Sequence, residues 1–248
     1  MEDTETIYCS IIIPVFNNEL ELPELLRRIK DTARSFHFSY EIILIDDGSS
    51  DGSLDFIKKE ALASDNIIVI SFEHNSGQNL AVKAGLDYAH GEIAVILDAD
   101  LQDPPEYIPL LLEKLKDNTD AVFARRKGNF QSFSRSFTSK IFKTWLSIAT
   151  GGKIPSDTGL FVAINKNILK MLRENRETEP YLVGLIAMLS KNIETMEIIR
   201  QPRIKSPSGY SFYKRLRLAF KAFISLTFSS FFRESKYPKY VIKEIYEK

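Results

Sequence analysis

Four short apolar runs set the limits on what this chain can fold into. Residues 10–16, 40–45, 67–72 and 93–97 are rich in Ile and Val, nearly continuous, and too short for buried helices. Such runs are the strands of a sheet covered on both faces. Between them Leu22, Leu25, Leu26 and Ile29 recur at helical spacing up to Phe36, and further helices are expected from near Ser53, over 80–89 and over 105–116. A strand over 121–124 follows. Strict alternation, short links and the absence of internal repeats predict an α/β fold, a mostly parallel sheet flanked by helices. At 248 residues the chain can bury the core of one large domain of this kind.

Each run stops in a polar loop. Pro14 and Phe16 close the first, before Asn17, Asn18 and Glu19; Ile45 leads into Asp46-Asp47-Gly48-Ser49-Ser50-Asp51-Gly52; Asn75-Ser76-Gly77-Gln78-Asn79 follows the third. The fourth ends in Asp98-Ala99-Asp100-Leu101-Gln102-Asp103-Pro104-Pro105, where the prolines prevent the strand continuing. Open parallel sheets bind ligands at the carboxyl edge of their strands, so Phe16, Asp47, the 75–79 turn and Asp98 are expected to gather there. Asp98 and Asp100 are hard oxygen donors suited to Mg²⁺ or Mn²⁺, or else belong to a solvated loop. Asp47 can accept from a base N–H, and a metal at Asp98 and Asp100 can neutralise a diphosphate. No Gly-x-Gly-x-x-Gly follows the first strand and no Gly-x-x-x-x-Gly-Lys-Ser/Thr occurs, which argues against dinucleotide and P-loop sites. His37, His74 and His90 are not spaced as metal ligands.

Net charge matters here only through its distribution. The 33 basic and 33 acidic residues cancel. Yet residues 121–156 hold no acid and seven bases, Arg125, Arg126, Lys127, Arg135, Lys140, Lys143 and Lys153. Residues 198–233 hold no acid and eight bases, among them Arg200, Arg203, Lys214, Arg217 and Lys221. Such segregation attracts anions to a neutral molecule. Phe133, Phe137, Ile141, Trp145 and Ile148 form an apolar helical stripe, and Leu216, Phe220, Phe223, Ile224 and Thr227 a second. Arg135 and Ser139, one turn apart, can grip one phosphate together. Helices basic on one face and aromatic on the other suit a membrane interface, or pack on the sheet with a solvated basic face. No nucleic-acid motif accompanies the charge, so no nucleic-acid partner is expected.

A single cysteine, Cys9, excludes an intrachain disulfide and fits a reducing compartment. No signal-peptide pattern opens the chain, and no run approaches the ~20 apolar residues of a membrane span. A cytoplasmic protein, peripheral on a membrane, is the expectation.

The ordered set of motifs resembles glycosyltransferase family 2 and its GT-A fold. The pieces are Ile13-Pro14-Val15-Phe16-Asn17, Asp46-Asp47-Gly48-Ser49-x-Asp51-Gly52, Asn75-x-Gly77 and Asp98-Ala99-Asp100-Leu101-Gln102-Asp103-Pro104-Pro105-Glu106. The long last motif, with Asp157-Thr158-Gly159 and the stretch from Arg203 to Tyr210, is similar to the polyisoprenyl-phosphate, dolichol-phosphate mannose synthase-like branch. The resemblance implies a UDP-, GDP- or dTDP-linked sugar donor, a divalent metal and a polyprenyl-phosphate acceptor. It implies nucleotide-sugar binding by Pro14, Phe16, Glu19, Ile45, Asp47, Asp98 and Ala99, and metal binding by Asp98, Asp100 and Gln102. It also implies phosphate binding by Arg125, Arg135, Ser139 and Arg203. Asp100 and Asp157 are the candidate catalytic residues. Two departures stand out: Val162 where relatives usually carry Arg, and Gly209 of Ser206-Pro207-Ser208-Gly209-Tyr210 where they carry Lys. Each removes a phosphate-side charge and leaves a glycan hydroxyl open as the acceptor.

The expected organisation is a glycosyltransferase domain over 1–232, with a nucleotide-sugar half to about 125 and an acceptor or membrane-surface half to 232, then a polar tail over 233–248. Inverting transfer is the expected reaction, with Asp157 orienting the acceptor or acting as base. A sugar-nucleotide-synthesising nucleotidyltransferase lacks its Gly-rich, Arg-containing loop after the first strand. A non-catalytic membrane-surface protein on the same scaffold remains as a rival of another class.

Overall fold

The computed structural model describes residues 8–116, 118–127, 158–175, 181–202 and 240–247. β1 (Cys9–Val15) lies in the middle of the sheet, parallel to β2 (Tyr40–Asp46) on one side and β4 (Ile93–Ile96) on the other. β3 (Ile67–Phe72) continues the parallel set beyond β2. The remaining strands are β5 (Ala121–Lys127), β6 (Thr158–Ile164), β7 (Ile193–Ile199) and β8 (Ile242–Tyr246), giving the order β7-β5-β6-β4-β1-β2-β3-β8.

The helices are α1 (Leu22–Phe36), α2 (Ser53–Leu62), α3 (Gln78–Tyr88), α4 (Ile108–Lys114), α5 (Lys166–Glu174) and α6 (Leu182–Leu189). Strand alternation sends Ile11, Ile13 and Val15 into one core with Leu22, Leu25 and Ile29 of α1 and Leu111 of α4. Ile12 faces the other core, with Val82 of α3, Leu169 of α5 and Ile186 of α6. Burial on both faces is why these strands read as unbroken apolar runs. Cys9 is fully buried, and burial, then the nearby Glu41 charge, pushes its thiol pKa far up. Glu41 itself is buried and tied by Ser10 Oγ and His90 N, each at 2.5 Å.

The mostly parallel expectation holds with two additions. β6 runs antiparallel between β4 and β5, and β8 pairs antiparallel with β3. The stretch expected as a polar tail, 233–248, therefore contains the strand that borders β3. An edge strand buries little: Ile242, Glu244 and Tyr246 are half-buried between exposed Lys243 and Ile245, with Lys58 Nζ 4.6 Å from the centre of the Tyr246 ring and 2.9 Å from Glu244. That pattern over five residues is too short and too charged to mark a strand by itself. The helix expected over 105–116 is a 3₁₀ turn, Pro105–Tyr107, followed by the seven residues of α4. Prolines 105 and 109 sit in the first turn of each, where a missing N–H costs nothing.

The aromatic-basic stripes over 133–148 and 216–227 lie outside the described residues. Among the described residues no helix is long and apolar enough to cross a membrane.

Candidate active site

Pro14 decides where the sheet opens. Leu97 N donates to Ile12 O at 3.0 Å, so the next donor along β1 toward β4 would be residue 14. A proline has no N–H to give to Leu97, and the pairing of β1 with β4 ends. Val15 still pairs with β2, accepting from Asp47 N at 2.8 Å. The chain leaves β4 at Asp98, and a crevice opens between the ends of β1 and β4, where the strand order changes direction.

One wall is built on Asp47. Its carboxylate is buried and accepts from Ser76 N at 2.6 Å and Gly77 N at 2.9 Å, while Asn75 Nδ2 donates to its carbonyl at 3.2 Å. Burial pushes this carboxyl up to about 6, against the pull of the two amides. Gly48 takes φ +71°, and a Cβ there would lie 2.9 Å from Asn75 N, so only glycine lets the two loops meet. Glu19 ties the first loop to the second: its Oε2 accepts from Gly52 N at 3.0 Å and its N donates to Asp51 Oδ2 at 3.2 Å. Asn17, at φ +55°, adds Ser49 Oγ and Ser50 N. Phe16 stands out from this wall, 47% exposed.

The other wall is Asp98. Gln78 Nε2 donates to its Oδ1 at 2.5 Å, and Arg126 Nη2 stands 3.7 Å from its Oδ2. Burial, then the Asp100 charge, raises the Asp98 carboxyl to about 6, with Arg126 working the other way. Leu101 is buried at φ +57°, a left-handed conformation that costs a non-glycine residue about 1–2 kcal/mol. That turn carries Asp100 back against the loop, where its Oδ1 accepts from Gln102 N at 3.2 Å.

Behind Asp98 lies a charge cluster. Asp103 is fully buried and takes Arg126 in a fork, Nη2 at 2.6 Å and Nε at 3.2 Å. Arg200 Nε lies 3.5 Å from the same carboxylate and has no hydrogen bond. Burial works against the Arg126 charge, but the Asp103, Asp98 and Asp100 carboxylates together outweigh it and raise its pKa; burial and Arg126 lower that of Arg200. Gly159 makes the room: a Cβ there would lie 2.6 Å from Arg126 Nη2. The segment carrying Arg200 is fastened to the Asp98–Asp103 loop by Gln201 N, which donates to Gln102 O at 2.8 Å. Arg28 forks onto Glu106 at 2.6 and 2.5 Å and reaches Gln201 Oε1 at 3.3 Å.

Residues 10–193 match the family model for glycosyl transferase family 2. The chain belongs to glycosyltransferase family 2. It is 33% identical over 214 residues to an uncharacterised glycosyltransferase of Bacillus subtilis, covering 86% of this chain and 66% of that protein. It is also 33% identical over 219 residues to the undecaprenyl-phosphate 4-deoxy-4-formamido-L-arabinose transferase of Proteus mirabilis, covering 88% and 67%. The chain thus spans about two thirds of the length of these relatives. The glucosyl-3-phosphoglycerate synthase of Mycobacterium tuberculosis, solved with Mn²⁺, UDP and phosphoglyceric acid, shares the fold at a TM-score of 0.64 and 17% identity over 89% of this chain and 78% of that one. A mannosyltransferase of Pyrobaculum calidifontis, solved with GDP-mannose and Mn²⁺, shares it at 0.58 and 20% identity over 95% and 67%. The GT-A architecture expected from the motifs is therefore the architecture of this family-2 chain.

In this family-2 site the structure brings together Pro14, Phe16, Glu19, Asp47, Asp98, Asp100 and Gln102, all at or next to the carboxyl ends of β1, β2 and β4. Ile45 and Ala99 are buried and shape the walls from behind. Arg125 is exposed and, by strand alternation, on the other face from Arg126, which is the one beside Asp98. Val162 is wholly buried between Ile96 and Phe123 in the sheet, so its place is a core position, and the reading of it as a lost phosphate contact is corrected. Arg135, Ser139, Asp157, Arg203 and Gly209 lie outside the described residues. The sequence reading missed Arg126, Asp103 and Arg200. A period-2 count along β5 could have found the first, since Arg126 shares a face with buried Val122 and Ala124.

Proposed function

We propose that this chain transfers a sugar, with inversion, from a nucleotide-sugar to a polyprenyl-phosphate acceptor at the cytoplasmic face of a membrane. The observation that carries the donor half is the convergence of the Asp47 and Asp98 carboxylates, past the ends of the two strands that flank β1, around one crevice. A carboxylate has about four acceptor positions, so Asp47 keeps capacity for a base N–H beyond the Ser76 and Gly77 amides. Exposed Phe16 offers an apolar surface for the base or ribose.

Asp98, Asp100 and Gln102 would hold Mg²⁺ or Mn²⁺, and the donor set fits: hard oxygens, with an Asp98 carboxyl whose pKa is raised first by burial and then by the Asp100 charge beside it. Among the described residues no three Asp, Glu, His or Cys gather to hold a metal alone, so a substrate diphosphate would complete the coordination. Bound there, the ion supplies charge neutralisation for the departing nucleoside diphosphate. A phosphate monoester has a second pKa of about 6, so the acceptor oxygen is already anionic at neutral pH. That oxygen attacks the anomeric carbon, the bond from that carbon to the diphosphate oxygen breaks, and the diphosphate leaves with the electron pair. No strong base is required, and Asp157 orients the acceptor.

The acceptor half is supported by the relatives named as undecaprenyl-phosphate sugar transferases and by the two acid-free basic segments. Arg135, Ser139 and Arg203 are its proposed phosphate ligands, with Arg125 at the rim. The Gly at 209 in place of Lys favours, as a second reading, transfer to a glycan hydroxyl, with Asp157 then the base. The deciding experiment is a screen of UDP-, GDP- and dTDP-sugars, with and without Mn²⁺, against polyprenyl phosphate and saccharide acceptors. Metal-dependent transfer to the lipid phosphate supports the first reading; if no donor is bound or consumed, both fail.

A further inference from the structure

The loop on the base side of the crevice, residues 73–77, is held at its entrance by one short stretch of distant chain, which also lies beside the far end of the helix that the loop leads into. At its entrance the ring of Tyr240 lies flat on Phe72, the last residue of β3, with centroids 4.7 Å apart and planes 9° from parallel. Next to it Glu73 N donates to Val241 O at 3.0 Å. At its exit the loop becomes α3, and the Tyr240 hydroxyl lies close enough to Asp87, near the far end of that helix, to feel its charge. Phe72 is buried, Tyr240 is half-buried, and burial and Asp87 push the tyrosine up to about 12, so the hydroxyl stays a donor at any physiological pH.

What lies between those two contacts is the donor wall. Ser76 N and Gly77 N hold the Asp47 carboxylate, and Gln78, the first residue of α3, holds Asp98. The loop has little support of its own. Glu73, His74 and Asn75 are exposed, Gly77 takes φ +100°, and its internal side-chain tie is Ser76 Oγ to His74 O at 3.2 Å. A helix moves as a unit, so fixing Asp87 fixes the axis along which Gln78 reaches Asp98, and fixing Phe72 fixes where the loop departs.

Resting on the donor site proposed above, we propose that Tyr240 is a positioning residue for the nucleotide. Through Phe72 and Asp87 it sets the spacing between the two carboxylate walls, Asp47 with its amides and Asp98 with Gln78. It touches neither the nucleotide nor the reacting atoms. Its chemistry suits the role: the flat ring braces the strand end through the stack on Phe72, and the hydroxyl beside Asp87 adds a smaller hold on the helix.

The test uses the full chain with UDP, GDP and dTDP, each with Mn²⁺, in calorimetric titration. Tyr240→Ala should weaken the nucleotide that the unaltered protein binds by about 3- to 10-fold, the worth of a stacked aromatic pair expressed as affinity. Donor KM should rise to match, with kcat and acceptor KM within about two-fold. Tyr240→Phe, which keeps the stack, should recover most of the loss. Hydrogen exchange at the Ser76 and Gly77 amides should speed up in Tyr240→Ala while the β2 amides keep their protection. Should Tyr240→Ala fail to fold, Asp87→Asn carries the same comparison with a smaller expected loss. A folded Tyr240→Ala with unchanged affinity and unchanged exchange at 76 and 77 overturns the proposal, even if its melting temperature falls. If the unaltered protein binds none of the three nucleotides, the donor reading fails, and the exchange rates alone then decide whether Tyr240 positions the loop.

Discussion

The perturbation with the clearest physical consequence is Asp103→Asn. The carboxylate is fully buried, takes two bonds from Arg126 at 2.6 and 3.2 Å, and lies 3.5 Å from Arg200. Removing one partner of a buried ion pair costs about 3–5 kcal/mol, mostly because the remaining charge is left without compensation. Two features reduce that here. A quarter of the Arg126 side chain reaches solvent, and Asp98 Oδ2 stands 3.7 Å away as a substitute partner. The expected loss is therefore about 2–3 kcal/mol by urea unfolding. The substitute has its own effect: a guanidinium that swings onto Asp98 competes with a divalent ion, so Mn²⁺ affinity should fall by about ten-fold, the weight of one charge-assisted hydrogen bond. Adding Arg126→Met to Asp103→Asn removes the orphaned charge, and should restore both part of the stability and the Mn²⁺ affinity. A loss below 1 kcal/mol in Asp103→Asn, or Mn²⁺ binding unchanged in it, would refute the account of Asp103 as the counter-charge that keeps Arg126 off Asp98.

Asp98→Ala and Asp100→Ala should abolish metal-dependent transfer with melting temperatures close to that of the unaltered protein, because each sits past a strand end; turnover at the original rate in either would remove the metal assignment. Asp47 and Asp98 both titrate near 6 in the folded protein against 3.8 as free side chains, so the folded state binds protons more tightly. Their contribution to stability is thus complete below about pH 4 and is lost as pH rises through 6, by at most about 3 kcal/mol each; Mn²⁺ should flatten the Asp98 share, and a melting temperature rising between pH 4 and 6 through these two groups would contradict it. Gly159→Ala should push the Arg126 guanidinium off its fork on Asp103, since its Cβ would sit 2.6 Å from Nη2, and should lower stability by about 1.5–3 kcal/mol in urea unfolding; an unchanged midpoint would show that the fork does not need this space.

Much of this was written in the chain. β1 to β4 are legible because strands buried on both faces carry few polar residues to blur the run, and the site follows because parallel topology puts the carboxyl ends of all four on one edge. The carboxylates at Asp98 and Asp100 follow from β4 ending at Ile96, where Pro14 denies it a further partner. What escaped did so for physical reasons. Arg125 and Arg126 are neighbours, and a one-residue difference in register sends one to solvent and the other to Asp98. Asp103 looks like a loop carboxylate until Arg126, 23 residues away, is folded onto it. Val162 reads as a missing charge when motifs are aligned, and as a core residue once β6 is seen between β4 and β5. β8 escaped because an edge strand needs so little apolar surface that its sequence resembles a tail.

Cys9 gives the central strand a built-in reporter. The only thiol in the chain is sealed at the start of β1, between the two strands that carry Asp47 and Asp98, and its thiolate form is strongly disfavoured there. A thiol reagent can reach it only when the middle of the sheet comes apart, so its rate of modification counts openings of the element on which both walls of the crevice stand. Nucleotide or metal that braces those walls would slow that count. The unaltered protein can thus report occupancy of its own active site through a cysteine that never touches a ligand.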